Sequence, residues 1–225
     1  MTILVWSAII KIDEEKGGLK MSRIITVGRQ FGSGGRELGK RLSDELGVPY
    51  YDREIISEIA KRTELAEEYV HRIVEQRPEY HFPITVGRTL QGGASDYLMQ
   101  QYASVYAEQT NVIRELAERS DCVIVGRCAD YILRDRKPLR IFVYADMDFR
   151  MARCRERGQN DEVASERKLR RKILAVDRNR RRYYRSYTGQ AWGNPANYDI
   201  CLNTAGTDIK AMAHALAVMI KADQE

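Results

Sequence analysis

The chain has 225 residues, a formal net charge of +5, 44% hydrophobic residues and 31% charged residues. This length and composition are typical of a globular protein that builds one α/β domain with a core of its own. No apolar run approaches the roughly 20 residues that a membrane-spanning helix needs, which excludes a transmembrane protein.

The cysteines give an indication of the cellular compartment. They show no C-x-x-C pairing and lie in apolar or helical stretches, at Cys122, Cys128, Cys154 and Cys201. Buried reduced thiols are therefore favoured over disulfides or a zinc site. This predicts a cytoplasmic protein that does not associate with membranes.

The N-terminal segment differs from the rest of the chain. Residues 1–20 begin with a short apolar stretch that lacks the small-residue cleavage site of a signal peptide. The run EKGG within it can be encoded by purines that contain a bacterial ribosome-binding sequence, shortly upstream of Met21. We therefore expect residues 1–20 to be a translated leader and the domain to comprise residues 21–225. An added strand or helix is the alternative.

The first half of the chain alternates strands and helices. A β-branched stretch at residues 23–28 predicts a buried strand, and leucines at four-residue spacing predict a helix from Ser33 to Leu46. VPYYD predicts a second strand, after which Asp52 is placed to cap a helix that runs to about Arg62. A further helix is predicted at residues 64–75, and glycines and prolines predict an irregular, mobile loop at residues 77–95.

The second half of the chain continues the alternation. Strands are predicted at residues 122–126, 139–145 and 198–204, and helices at 96–119, 147–158, 161–184 and 207–222. Strands separated by helices predict a single domain with a parallel sheet and right-handed crossovers.

The turn after the first strand has the composition of a phosphate-binding loop. Glycine lets the backbone N–H groups surround a phosphate, and the following helix adds the positive end of its dipole. We expect the phosphates of ATP to be bound by Gly32, Ser33, Gly34, Gly35, Arg36 and Glu37.

This loop departs from the common pattern G-x-x-x-x-G-K-[ST] because it has no lysine. If Gly34 is the last motif glycine, Gly35 takes the lysine position and Arg36 the hydroxyl position. In the other register, Arg36 takes the lysine position and Glu37 the hydroxyl position, and neither register keeps the first glycine. Arg36, or Arg29 across the turn, is expected to supply the missing charge. The alternative is a glycine-rich turn that only packs closely against the sheet.

Four stretches carry a resemblance to a known family: ITVGRQFGSGGRELGKRL, VPYYDREII, CVIVGRCADYILRD and DRNRRRYYRSYTGQAWGNPANYDICLNT. Through them the chain resembles the cytidylate kinase-like family, relatives of the P-loop nucleoside monophosphate kinases, over residues 23–222. The resemblance implies an α/β three-layer sandwich with a five-stranded parallel sheet in the order 2-3-1-4-5 and a helical lid. It also implies an acceptor-binding insertion at about residues 52–119 and a lid at about 155–195.

The resemblance implies an activity as well. It is ATP-dependent phosphoryl transfer, with Mg²⁺ as cofactor, to a nucleoside monophosphate, most simply CMP or dCMP. The acceptor-binding residues would be Asp52, Arg53, Arg127, Asp130, Asp177 and Arg180. Asp177 would accept a hydrogen bond from the exocyclic amine of cytosine, a donor that uracil lacks. Glu37 and Asp52 are the candidate carboxylates for Mg²⁺.

A basic segment supplies further candidates. Residues 167–185 contain ten Arg or Lys and one acid, Asp177, which suits a polyanion. Arginines that close over a transferring phosphoryl group would stabilise its charge. The predicted catalytic arginines are Arg36, Arg153, Arg157 and Arg181.

Three alternatives stay open. The first is a nucleotide-binding regulatory module without kinase activity, which the missing lysine favours. The second is a kinase of another small molecule, because Asp52-Arg53-Glu54 departs from the hydroxyl residue that cytidylate kinases carry after this aspartate. The third is RNA binding through residues 167–185, ranked last because an acid interrupts the basic segment. The expected partners are therefore ATP and a small nucleotide or related acceptor.

Overall fold

The computed structural model describes residues 24–75, 93–157 and 165–222. The expectation for residues 1–20, most of the loop expected at 77–95, and the part of the expected lid at 158–164 lie outside these ranges. Within the described residues, no helix is long and apolar enough to cross a membrane.

Five parallel strands form one sheet in the order β2-β3-β1-β4-β5, which confirms the expected fold. The strands are β1 Ile24–Arg29, β2 Tyr50–Tyr51, β3 Cys122–Val125, β4 Leu139–Tyr144 and β5 Ile200–Asn203. The helices are α1 Gly35–Leu46, α2 Glu54–Thr63, α3 Glu67–Glu75, α4 Gly93–Arg119, α5 Ala129–Ile132, α6 Met147–Glu156, α7 Glu166–Thr188 and α8 Ile209–Ala222. Two 3-10 turns lie at Arg134–Arg136 and Pro195–Asn197.

The strands are apolar on both faces because helices cover the sheet on both sides. In β1, Ile25 and Val27 pack into one apolar cluster with residues of α1 and α8, whereas Ile24 packs into a second cluster with residues of α2, α3 and α4. In β3, Val123 belongs to the first cluster and Ile124 to the second. This alternation follows from the two-residue repeat of a strand, and it gives three layers.

Helix α1 shows how the sequence places the glycine loop. Leu38 and Leu42 are fully buried at four-residue spacing, so one face of α1 packs on the sheet. Gly34 precedes α1 with a φ of 82°, and Gly47 ends it with a φ of 67°. The helix therefore begins directly behind the loop, with its N-terminus at the carboxyl end of β1.

Helix α2 differs from the expectation at its first residue. It is preceded by Arg53, and no side chain caps it. Asp52 was expected to be the cap, but its carboxylate is buried against Arg29 and Arg36 instead. Helix α7 also differs from the expectation at its C-terminal end, since it extends to Thr188 rather than to residue 184.

Candidate active site

The glycine loop is held in place by hydrogen bonds to the sheet. Ser33 is fully buried, and its hydroxyl donates to the carbonyl oxygens of Gln30, at 2.9 Å, and Val143, at 3.2 Å. The hydroxyl of Thr204 donates to the Ser33 carbonyl oxygen at 2.6 Å. Because its hydroxyl is used inside the loop, only the backbone of Ser33 is left to contact a ligand.

A cavity of about 570 Å³ opens beside this loop. Seven basic and two acidic residues are among those that line it: Arg29, Arg36, Lys40, Arg41, Arg153, Arg157, Arg180, Glu37 and Asp44. The cavity also includes Gly32, Gly34 and Gly35. Of the residues predicted from sequence to bind ATP phosphates, all but the buried Ser33 line it. An excess of cations around a glycine loop is the environment that a polyphosphate requires.

Glu37 is the centre of an arginine cluster within this cavity. Its carboxylate accepts from Arg41 at 2.8 Å and also from Arg153 and Arg157. Burial alone would raise the pKa of Glu37, but the hydrogen bonds from Arg41 and Arg153 and the charge of Arg157 together lower it. Arg153 and Arg157 therefore reach the cavity as predicted, held there by a carboxylate.

A second carboxylate, that of Asp52, lies beneath the loop. Asp52 is 2% exposed, and its oxygens lie 3.4 Å from Arg29 Nη2 and 2.5 Å from Arg36 Nε. Arg53, predicted to bind the acceptor, is exposed. It lines neither the cavity beside the glycine loop nor a smaller pocket lined by Arg127 and Asp130.

These contacts bear on the expected Mg²⁺ site. Both candidate carboxylates, Glu37 and Asp52, are neutralised by arginine. The described residues contain no group of three or more His, Cys, Asp or Glu arranged to hold a metal ion. These side chains therefore do not fit a Mg²⁺ ion held by the protein itself.

A smaller pocket of about 40 Å³ lies on the other side of Arg29. Its walls include Arg127 and Asp130, both predicted from sequence, and residues from α3 and α7: Val74, Arg180, Tyr183 and Tyr184. The Tyr184 hydroxyl donates to Asp130 at 2.6 Å, and burial raises the pKa of Asp130. The pocket is polar and aromatic, as a site for a nucleotide or a similar small acceptor would be.

The turn that carries this pocket is strained. Gly126, Arg127 and Cys128 have φ values of 76°, 60° and 54°, a left-handed conformation that costs free energy in the last two residues. Gln109 donates to the Arg127 carbonyl oxygen at 3.0 Å and receives a hydrogen bond from Tyr183 at 3.2 Å. Helices α4 and α7 thus fix the turn that presents Arg127.

Asp177 does not join the other predicted acceptor residues. It lines neither cavity, and it is 5% exposed. One oxygen accepts from the Phe31 backbone N–H at 2.8 Å, and the other is paired with Arg150, which donates from Nε to the Phe31 carbonyl oxygen at 2.7 Å. Asp177 therefore connects the glycine loop to α6 and α7.

The two neighbouring arginines of α7 separate in the structure. Arg180 lines both cavities, and its Nη1 donates to the Arg29 carbonyl oxygen at 3.2 Å. Arg181 is exposed and lies over the Trp192 ring at 5.9 Å, outside both cavities. The catalytic role predicted for Arg181 is not supported by this placement.

Sequence reasoning assigned no role in the site to Arg150 or Tyr184. Arg150 lies three and seven residues before Arg153 and Arg157, so helical spacing places all three on one side of α6. That spacing was a usable signal. Tyr184 carried none, because its bond to Asp130 joins residues 54 positions apart in the chain.

The sequence matches the family model of the cytidylate kinase-like family over residues 24–206. An uncharacterized protein from Eubacterium ventriosum has a similar crystal structure, with 26% identity, a TM-score of 0.63, and coverage of 88% of this chain and 98% of that one. Shikimate kinase from Bacteroides thetaiotaomicron shares the fold at 18% identity and a TM-score of 0.52, over 88% of this chain and 97% of its own. No curated protein matches the chain.

Proposed function

The chain belongs to the cytidylate kinase-like family, and from this premise we propose that it transfers the γ-phosphoryl group of ATP to a nucleoside monophosphate. CMP and dCMP are the first acceptors to test. One observation carries the proposal. Among the described residues, only Arg29 and Arg180 line both the large cavity beside the glycine loop and the smaller pocket.

In this proposal, each of the two cavities binds one of the two substrates. ATP, supplied as its magnesium complex, would bind with its phosphates against the backbone of the glycine loop and the N-terminus of α1. The acceptor would lie in the smaller pocket, with Arg127 beside its phosphate. Arg29 and Arg180 would then flank the phosphoryl group as it moves from one cavity to the other.

The step itself needs little from the protein besides position and charge. An oxygen of the acceptor phosphate attacks the γ-phosphorus, the bond from that phosphorus to the β–γ bridging oxygen breaks, and the electron pair leaves with ADP. Negative charge spreads over the oxygens of the transferring group, and two arginines in a site that excludes water stabilise that charge.

The size of the acceptor pocket sets a condition on this function. A volume of about 40 Å³ is too small for a nucleoside monophosphate. The wall that Val74 of α3 and Tyr183 of α7 form must therefore move outward before an acceptor binds. Movement of helices around a nucleotide site is the usual way in which such enzymes admit substrates and exclude water.

The identity of the base is open to experiment. Asp177 was expected to select cytosine, but both of its oxygens are engaged by Phe31 and Arg150. Asp130 is the carboxyl group that lies in the acceptor pocket. UMP and AMP are therefore tested beside CMP and dCMP.

A nucleotide-binding module without transfer is the second candidate. The missing motif lysine and the small acceptor pocket favour it. It shares the ATP cavity with the first candidate and differs from it only in turnover.

The test is a coupled ADP-release assay with MgATP and each of the four acceptors, beside calorimetric measurement of ATP binding. Arg180→Ala is expected to lower kcat by about 100- to 1,000-fold, the usual cost of losing one donor to developing charge. Arg178→Ala is the matched control, because Arg178 is exposed on the same helix and lines neither cavity. ATP binding without ADP release for any acceptor would reject the kinase and support the binding module.

A further inference from the structure

The glycine loop departs from the common phosphate-binding motif at two positions: one where the motif has a glycine and one where it has a lysine. Because α1 begins directly after Gly34, Gly34 corresponds to the last glycine of G-x-x-x-x-G-K-[ST]. The first motif glycine then falls at position 29, and the motif lysine at position 35. The chain has Arg29 and Gly35, so the cation and the glycine have exchanged places.

The two exchanged positions are in contact. A Cβ atom added to Gly35 would lie 2.5 Å from Arg29 Cβ and 3.1 Å from Val143 Cβ. No lysine fits at position 35 while Arg29 is present. Conversely, because Gly35 has no side chain, the first carbon atoms of the Arg29 side chain occupy the space beside it.

The rest of the Arg29 side chain is held between Gly126 and Asp52. Its Nη1 lies 1.7 Å from the position of a Cβ atom added to Gly126, so the guanidinium rests against that glycine. Asp52 pairs with Nη2 at 3.4 Å from the other side. Arg29 is only 7% exposed, so its side chain is fixed in orientation, and the residue lines both cavities.

We propose that Arg29 replaces the motif lysine and binds the β- and γ-phosphates of ATP from the position of the first motif glycine. This inference rests on the proposed function, whose ATP cavity it uses. A guanidinium suits the exchange because its planar fork reaches two phosphate oxygens at once. Arg36, the replacement considered first from the sequence, occupies the hydroxyl position in this register, and its side chain is 47% exposed.

The exchange is tested with four proteins: wild type, Arg29→Gly, Gly35→Lys, and the double variant that restores the motif as far as its lysine. Calorimetry measures the affinity of each for ATP and for AMP. Arg29→Gly is expected to lose ATP affinity by about 10- to 100-fold, the range for charge-assisted hydrogen bonds, with AMP affinity unchanged. Gly35→Lys is expected to melt at a lower temperature, because its Cβ meets Arg29.

The double variant gives the decisive result. It is expected to recover ATP affinity to within about tenfold of wild type, because the lysine returns to the space that Arg29 vacates. Full ATP affinity in Arg29→Gly, or a double variant that binds ATP no better than Arg29→Gly, would overturn the exchange.

Two provisions keep the test conclusive. If Arg29→Gly does not fold because Asp52 loses a partner, Arg29→Gln with Asp52→Asn is compared with Asp52→Asn alone, and the same loss of ATP affinity is expected. A wild-type protein that binds ATP and transfers to no acceptor overturns the proposed function alone. A wild-type protein that binds no ATP overturns both.

Discussion

The carboxylate of Asp177 fixes the glycine loop against two helices. It accepts from the Phe31 backbone at 2.8 Å and is paired with Arg150, and both charged side chains are nearly inaccessible to solvent. A buried ion pair contributes little net stability when it is intact, but removal of one partner leaves the other charge without compensation. Asp177 is therefore expected to act on the shape of the loop.

Replacement of Asp177 tests this at the level of stability. Asp177→Leu is expected to lower the unfolding free energy by about 3 to 5 kcal/mol, because it leaves Arg150 buried and uncompensated. Asp177→Leu combined with Arg150→Met is expected to cost clearly less. Urea denaturation of both variants measures the difference, and the matched control is Asp199→Leu, which breaks the half-exposed pair of Asp199 with Arg140.

The opposite result is equally informative. If Asp177→Leu leaves the unfolding free energy unchanged and instead removes a preference for CMP over UMP, Asp177 reads the base as the sequence suggested.

The sequence allowed site residues to be chosen by type and local spacing. The residues of the glycine loop line one cavity because strand, turn and helix follow one another directly in the chain, and Arg153 and Arg157 line it because α6 follows β4, the strand next to β1. Such reasoning could not identify the partners of Asp177. Phe31 lies 146 residues away, and an aspartate in a basic helix has the same local pattern whether it binds a ligand or an arginine.

At the level of elements, helices α1 and α6 meet through one acid and two arginines. Glu37 near the start of α1 pairs with Arg153 of α6 and with Arg157, which directly follows α6, inside the cavity beside the glycine loop. A bound triphosphate would present charges of the same sign to the same arginines. Glu37 would therefore compete with such a ligand for them, while it also holds them in position.

Glu37→Gln measures the balance of these two effects. We expect ATP to bind about 3- to 10-fold more tightly, because a negative charge near the phosphates is removed. Glu45→Gln on the same helix is the matched control, since Glu45 pairs with His214 and lines neither cavity. Equal changes in both variants, or weaker ATP binding in Glu37→Gln, would contradict competition by Glu37.

The elements themselves were largely predictable from the sequence. Strands β1, β3, β4 and β5 follow from the largely apolar runs that a doubly covered parallel sheet requires, whereas β2 consists of Tyr50 and Tyr51 alone. The order of the strands agrees with the family resemblance. The short helix α5 was missed, because its four residues are too few for a periodic pattern and it follows directly on the left-handed turn at Arg127 and Cys128. The start of α2 was displaced because the Asp52 side chain pairs with arginines from distant positions.

For the whole molecule, the proposed binding of ATP in the cavity beside the glycine loop would add to the stability of the fold. The cavity is formed by β1, α1, α6 and α7 together, so a ligand in it binds only the folded chain. A ligand at 100 times its Kd adds about 2.7 kcal/mol to the unfolding free energy.

Thermal melting in the presence of MgATP tests this. At 100 times the Kd, Tm is expected to rise by about 5 to 10 °C for a chain of this size. A single-stranded RNA oligonucleotide at the same total phosphate concentration is the comparison, and no change in Tm is expected with it. A rise with RNA that is lost at high salt, and no rise with ATP, would favour the RNA-binding alternative.

The contact between positions 29 and 35 also limits the routes by which this loop can change over evolutionary time. A chain that gains a lysine at position 35 first must accommodate a Cβ atom 2.5 Å from Arg29 Cβ. A chain that loses Arg29 first passes through a form with a cation at neither position. Each single substitution is thus disfavoured alone, and the pair is expected to be inherited as a unit. Related chains that carry glycine at position 35 should therefore be recognised by the arginine six residues before it.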